Sequence, residues 1–187
     1  MKTFVCFVDD HSFTQKRKNF KLPGKCSKED GYRNPIIPIM YTTVEVGEWV
    51  AKVVICNLGK NPKNYRAVED DLHMAVPTFT DTKVVKVDLY GLTAIEAFNS
   101  IIDAIDSNDE VFACTAYANA SMVRLLDAVL HSAARLKGAY IARVLDLEDF
   151  EIKDALNVFE IDELSSKLKD NPFGLKYIKT VLKEARS

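Results

Sequence analysis

Two short polar stretches carry the residue types that can do chemistry. The first is Asp9-Asp10-His11-Ser12, which ends an apolar run from Lys2 to Val8. It opens a basic segment, residues 13 to 34, in which Lys16, Arg17, Lys18, Lys21, Lys25, Lys28 and Arg33 face only Glu29 and Asp30. The second is Thr115-Ala116-Tyr117-Ala118-Asn119, between the apolar run Val111-Phe112-Ala113-Cys114 and a long helical pattern. A helix start at the carboxyl end of a strand offers unpaired N–H donors and a partial positive charge, which favour a phosphate. Thr115, Asn119 and Ser121 add side-chain donors there. The basic segment reads either as a solvated loop or as a flap over an anion. About twenty loop residues inside a small domain are more often functional or disordered than idle.

The elements that must position these stretches follow from periodicity. Met122, Leu125, Leu126, Val129, Leu130, Ala133 and Leu136 recur at three and four residues, so Ala120 to Lys137 is a helix with one apolar face. Asn119 or Ser121 can cap its start, and Gly138 suits the left-handed residue that ends it. Ala139 to Leu145 is the next strand, closing a right-handed βαβ unit. Strands are also expected at Lys2–Val8, Ala51–Asn57 and Lys83–Leu89. Asn61-Pro62 opens a helix to about Ala75, and Leu92 to Ile105 forms another. Pro35 and Pro38 oppose an early helix, so 39–46 reads as strand-like, with a helix opening possible over Val46–Val50 and Trp49 in the core. After Asp146, Glu151–Phe159 and Asp162–Lys169 read as short helices, and Asn171-Pro172 starts a third. The expected fold is α/β and Rossmann-like. It has a mostly parallel sheet of about five to six strands, helices on both faces, and a short helical C-terminal tail. The division is a domain over 1–147 and a helical extension over 148–187.

Composition narrows the function. A formal net charge of −2 over 187 residues is a poor match for duplex DNA. No apolar stretch approaches a membrane span, and no signal peptide is expected, so the protein reads as cytoplasmic. Cys6, Cys26, Cys56 and Cys114 contain no C-x-x-C pair and read as buried free thiols. The dinucleotide, P-loop, H-E-x-x-H and G-x-S-x-G signatures are absent. His11, His73 and His131 are too scattered for a metal site, so no metal and no cofactor is expected. Arg124 and His131 have a spacing similar to that in HEPN ribonucleases, but that family is all-helical, and the pair reads here as a polar helix flank.

Tyr90 to Asp149 resembles the CARF family, the Rossmann-like sensor domains of CRISPR systems. The carrying residues are an amphipathic helix, Ser107-Asn108-Asp109-Glu110, an apolar strand, the Thr115 loop, the long helix, and Leu136-Lys137-Gly138-Ala139-Tyr140-Ile141-Ala142-Arg143-Val144-Leu145. The family's strand ends D-x-T-x-G. Here Thr115 holds the Thr position, while Ala113 replaces Asp, Tyr117 replaces Gly, and Asn119 replaces the usual basic residue. The resemblance implies a homodimer that binds a cyclic oligoadenylate of type III CRISPR antiviral defence at the carboxyl ends of strands one and four. Asp10, Ser12, Thr115, Ala116, Tyr117, Asn119 and Ser121 would then line the ligand, with Tyr117 as a stacking ring. Members of this size are similar to metal-independent ring nucleases, in which a ribose 2′-OH attacks its neighbouring phosphate. In that role His11 would be the acid or base, and Lys16 and Arg17 would neutralise the phosphate. A non-catalytic sensor or adaptor, and an unrelated Rossmann-like mononucleotide-binding protein, are the alternatives.

Overall fold

Lys2–Val8 forms β1, the centre of the sheet, and alternate residues send side chains to opposite faces. Both faces are buried, which is why the strand is apolar throughout. The computed structural model describes residues 1–21, 31–44, 51–74 and 82–184, without the side chains of 156–159 and 181–184. Trp49, Cys26, Lys25, Lys28 and the helix opening at Val46–Val50 lie outside the described residues. The further strands are β2 (Ala51–Asn57), β3 (Lys83–Asp88), β4 (Glu110–Cys114), β5 (Tyr140–Glu148) and β6 (Glu151–Asp154). They form one six-stranded sheet in the order β3-β2-β1-β4-β5-β6. All neighbours are parallel except β5 and β6. The fold is thus α/β and Rossmann-like, as expected.

Helices cover both faces. On one, α1 (Ile36–Thr43) and α2 (Arg66–Met74) pack Ile36, Ile39, Met40, Val68 and Leu72 on Phe4, Cys6, Val53, Ile55 and Phe112. Phe4 and Phe112 are register partners on β1 and β4, and their rings stack with centroids 5.0 Å apart. On the other face, α3 (Ala94–Ala104) and α4 (Ala120–Lys137) pack Ala97, Ile101, Leu126, Val129 and Leu130 on Val5, Phe7, Val54, Val111 and Val144. Each fully buried aliphatic side chain contributes about 1.5–3 kcal/mol relative to exposure. The expected caps on α4 are present. Asn119 Oδ1 accepts the Met122 N–H at 2.9 Å, and Gly138 is left-handed at φ 67°.

Three expectations are corrected. The prolines do not delay α1, which begins at Ile36 immediately after Pro35. Pro38 falls in the first turn, where an N–H has no intrahelical acceptor to lose. Asn34 completes the start, because its Oδ1 accepts the Ile36 N–H at 3.0 Å while its Nδ2 donates to the Phe7 carbonyl at 2.9 Å. Residues 39–43 are accordingly helix and not strand. Glu151 does not open a helix either. Glu151–Asp154 is β6, paired antiparallel with β5 through the two-residue turn Asp149-Phe150, both at positive φ (49° and 65°). The sheet therefore continues beyond residue 147. Finally, Leu156–Lys167 is a single helix, α5, where two short ones were expected, and α6 (Gly174–Glu184) follows the Asn171-Pro172 start. Among the described residues, no helix is long and apolar enough to cross a membrane.

Candidate ligand crevice at the switch point

The order β3-β2-β1-β4 reverses direction between β1 and β4. The chain leaving β1 reaches α1 on one face, and the chain leaving β4 reaches α4 on the other. The two connections separate and leave a crevice at their carboxyl ends, the usual ligand position in open α/β sheets. Both stretches singled out from the sequence lie at this crevice.

On the β1 side, Asp9 to Ser12 forms a tight turn. Asp9 Oδ1 accepts the His11 N–H at 3.0 Å and the Ser12 hydroxyl at 2.8 Å, and Ser12 Oγ accepts the Asp9 N–H at 2.9 Å. Ser12 is buried and used up by the turn. Asp10 turns towards β2, where its Oδ1 accepts the Asn64 amide and the Asn61 N–H, both at 3.1 Å. The Asn64 bond, helped by the Asn61 and Lys60 N–H groups, holds its carboxyl below the ordinary Asp value. His11 and Lys16 are exposed.

The described parts of the basic segment are tied down at two places. Arg17 Nε donates to Asp71 Oδ1 at 3.1 Å, the Arg33 N–H donates to Asp71 Oδ2 at 2.6 Å, and the Arg33 guanidinium lies 3.4 Å from Asp70. Asp71 is fully buried on α2. At the second place, the Lys21 N–H donates to the Phe150 carbonyl and the Ile152 N–H to the Lys21 carbonyl. Lys18 Nζ sits 4.6 Å over the Phe150 ring. Phe20 and Tyr32 enter the core between these anchors. The described part of the segment is a packed strap across the carboxyl rim, and Arg17 is spent on anchoring it.

On the β4 side, Thr115 Oγ1 donates to Asp146 Oδ1 at 2.7 Å, and the Thr115 N–H donates to the Leu145 carbonyl at 2.8 Å, joining the ends of β4 and β5. Ala116 is buried, Asn119 is occupied as the α4 cap, and Ser121 is exposed in the first turn. Tyr117 is left-handed at φ 68°, at the position where the family pattern has Gly. A non-Gly residue held there costs on the order of 1–2 kcal/mol. Its side chain crosses the crevice. The hydroxyl donates to the Arg33 carbonyl at 3.0 Å, with Gln15 Oε1 3.5 Å away, and the ring packs on both hydrophobic clusters. Burial pushes the phenol up to about 12, so it is a neutral donor near pH 7.

Of the expected site residues, the structure thus brings Tyr117 against the strap and leaves His11, Lys16 and Ser121 exposed on the flanking loops. It commits Asp10, Ser12, Arg17, Thr115 and Asn119 to internal bonds. Sequence reasoning missed Gln15, the Arg33 carbonyl and Asp146. Asp146 had a usable signal, since it ends the strand next to β4. A backbone carbonyl and a neutral amide gave none. No family model, curated protein or solved structure matches this chain.

Proposed function

We propose that the chain binds a cyclic oligoadenylate in the crevice between the β1 and β4 loops, acting as a cytoplasmic CARF-type homodimer. One observation carries the reading. The loops after β1 and β4, far apart in sequence, meet at the switch point through Tyr117 and Arg33. The left-handed Tyr117 supports a site role, because strained non-Gly residues concentrate at ligand clamps. The unpaired N–H groups opening α4 and the exposed Lys16 can take a phosphate.

Cleavage needs more. The 2′-oxygen would bond to phosphorus as the P–O5′ bond breaks, giving a linear product with a 2′,3′-cyclic phosphate. His11 would accept the 2′ proton, and solvent water would supply the proton that the leaving 5′ oxygen takes up. The anchoring of Arg17 by Asp71 removes one of the cations this step would use, and it favours a sensor that binds without cleaving. Incubation with labelled cyclic tetra-adenylate in EDTA separates the readings. Retention without products is the expected result. Linear products lost in His11→Ala would make the protein a ring nuclease. Absence of binding to cyclic tri-, tetra- and hexa-adenylate at micromolar concentration would refute both.

A further inference from the structure

Tyr117 gives the crevice an occupant of its own. A flat ring lies against both hydrophobic clusters at the switch point, and its far edge carries one donor. That donor meets the Arg33 carbonyl, and the Gln15 amide oxygen stands beside it. Gln15 Nε2 also donates to the Arg33 carbonyl at 2.7 Å, so the two acceptors are fixed relative to each other. The Arg33 backbone is anchored beside that carbonyl, because its N–H donates to the fully buried Asp71. The result is a slot for a planar ring, closed at its end by two acceptors, with the Gln15 amide nitrogen turned onto the Arg33 carbonyl.

We infer that Tyr117 is an internal plug in a nucleobase subsite, and that the subsite selects bases bearing an exocyclic amine. This rests on the nucleotide reading above and specifies which part of the ligand the crevice recognises. An adenine 6-amino group has two hydrogens, one for the Arg33 carbonyl and one for Gln15 Oε1. A base presenting a carbonyl at the same edge sets oxygen against oxygen and leaves Gln15 Oε1 without a donor, while the Arg33 carbonyl keeps only the Gln15 amide, and such mismatches discriminate strongly between otherwise similar ligands. The plug also lowers apparent affinity, because only the fraction of molecules with Tyr117 withdrawn can bind. The left-handed backbone is what aims the ring across the gap, and a glycine at 117 keeps that backbone while removing the ring.

The test compares adenosine and inosine 5′-monophosphates, which differ at that edge by amine against carbonyl, by equilibrium dialysis on the full chain. Tyr117→Gly should bind the adenosine nucleotide about tenfold more tightly than wild type, with no gain for the inosine nucleotide. Tyr117→Phe keeps the ring but loses its tether, and a smaller gain of about threefold is expected. If Tyr117→Gly does not fold, the Phe variant decides alone. Equal gains for both nucleotides, no gain, or a loss would overturn the inference, a loss marking Tyr117 as a stacking platform. The two proposals fail separately. Wild type that ignores cyclic tetra-adenylate while Tyr117→Gly gains adenosine selectivity keeps the subsite and removes the messenger. Wild type that binds cyclic tetra-adenylate while Tyr117→Gly shows no gain does the reverse.

Discussion

The two ends of the sheet treat their polar groups differently. At the amino end, Lys52 is buried on β2 with its Nζ 2.7 Å from Asp106 and 3.1 Å from Asp109. Asp109 also accepts the Thr3 hydroxyl at 2.7 Å and the Asp106 N–H at 3.0 Å. Every one of these groups is satisfied by its neighbours, and the one left-handed residue in their turn is Asn108 at φ 62°, a residue type that tolerates that region. At the carboxyl end, Tyr117 is held left-handed, His11 and Lys16 stand in solvent, and a strap is pinned across the rim. The difference teaches where to look. A closed polar network at one end secures the fold, whereas solvent-facing polar groups and a left-handed Tyr117 at the other leave room for a ligand.

The largest expected effect breaks the amino end. Asp109→Ala takes the buried carboxylate from the Lys52 ammonium, leaving it the exposed Asp106 alone, and removes the acceptor for Thr3, so chemical denaturation should show a loss of about 3–5 kcal/mol. A loss under 1 kcal/mol would mean that this network does not hold the sheet. The same carboxylate gives the contrast a pH signature. Burial pushes Asp109 up, but the bonds from Thr3, the Asp106 N–H and Lys52 outweigh it, and its folded value lies below the ordinary one. A depressed folded value means that stability is present above the unfolded value of about 3.9 and is lost as pH falls through the folded value. Asp109→Asn should flatten the acid limb of the stability–pH curve, and an unchanged limb would assign that limb to other carboxylates.

An intermediate effect separates anchoring from binding at the carboxyl end. Arg17→Ala takes the guanidinium from the buried Asp71, leaving it the Arg33 N–H, and should lower stability by about 1.5–3 kcal/mol in urea denaturation. Lys16→Ala should leave stability within about 0.5 kcal/mol while flattening the salt dependence of cyclic tetra-adenylate binding. Equal stability losses in the two variants would dissolve the distinction between strap anchor and ligand cation. The smallest effect returns to the amino end, at the glycine that precedes β5. Gly138→Ala puts a Cβ at φ 67° and 3.0 Å from Asn108 Oδ1, and it should cost about 1 kcal/mol in thermal unfolding. A neutral result would show that the C-cap tolerates a side chain.

What could be read in advance follows the same division. β1, β2 and α4 were legible because their apolar spacing is set by burial on known faces, and the Asn119 and Gly138 caps follow from backbone chemistry at helix ends. The start of α1 was hidden because Pro35 and Pro38 lower helix propensity, yet the Asn34 side chain and a first turn without acceptors offset them. β6 was hidden because it is short and charged, and because its turn uses Asp149-Phe150 where a two-residue turn at positive φ favours Asn-Gly. At the crevice, the two loops were found from the residues that end their strands. The anchoring of Arg17 and Arg33 was not, because their partners Asp70 and Asp71 lie on α2 and only tertiary packing brings them together.

The central claim is that one ligand engages both loops at once. Amide hydrogen exchange with and without saturating cyclic tetra-adenylate tests it directly. The expected result is joint protection of residues 9–18 and 115–122, with Asp88 to Ala104 unchanged. Protection confined to the β3–α3 side, or to one loop alone, would contradict the account.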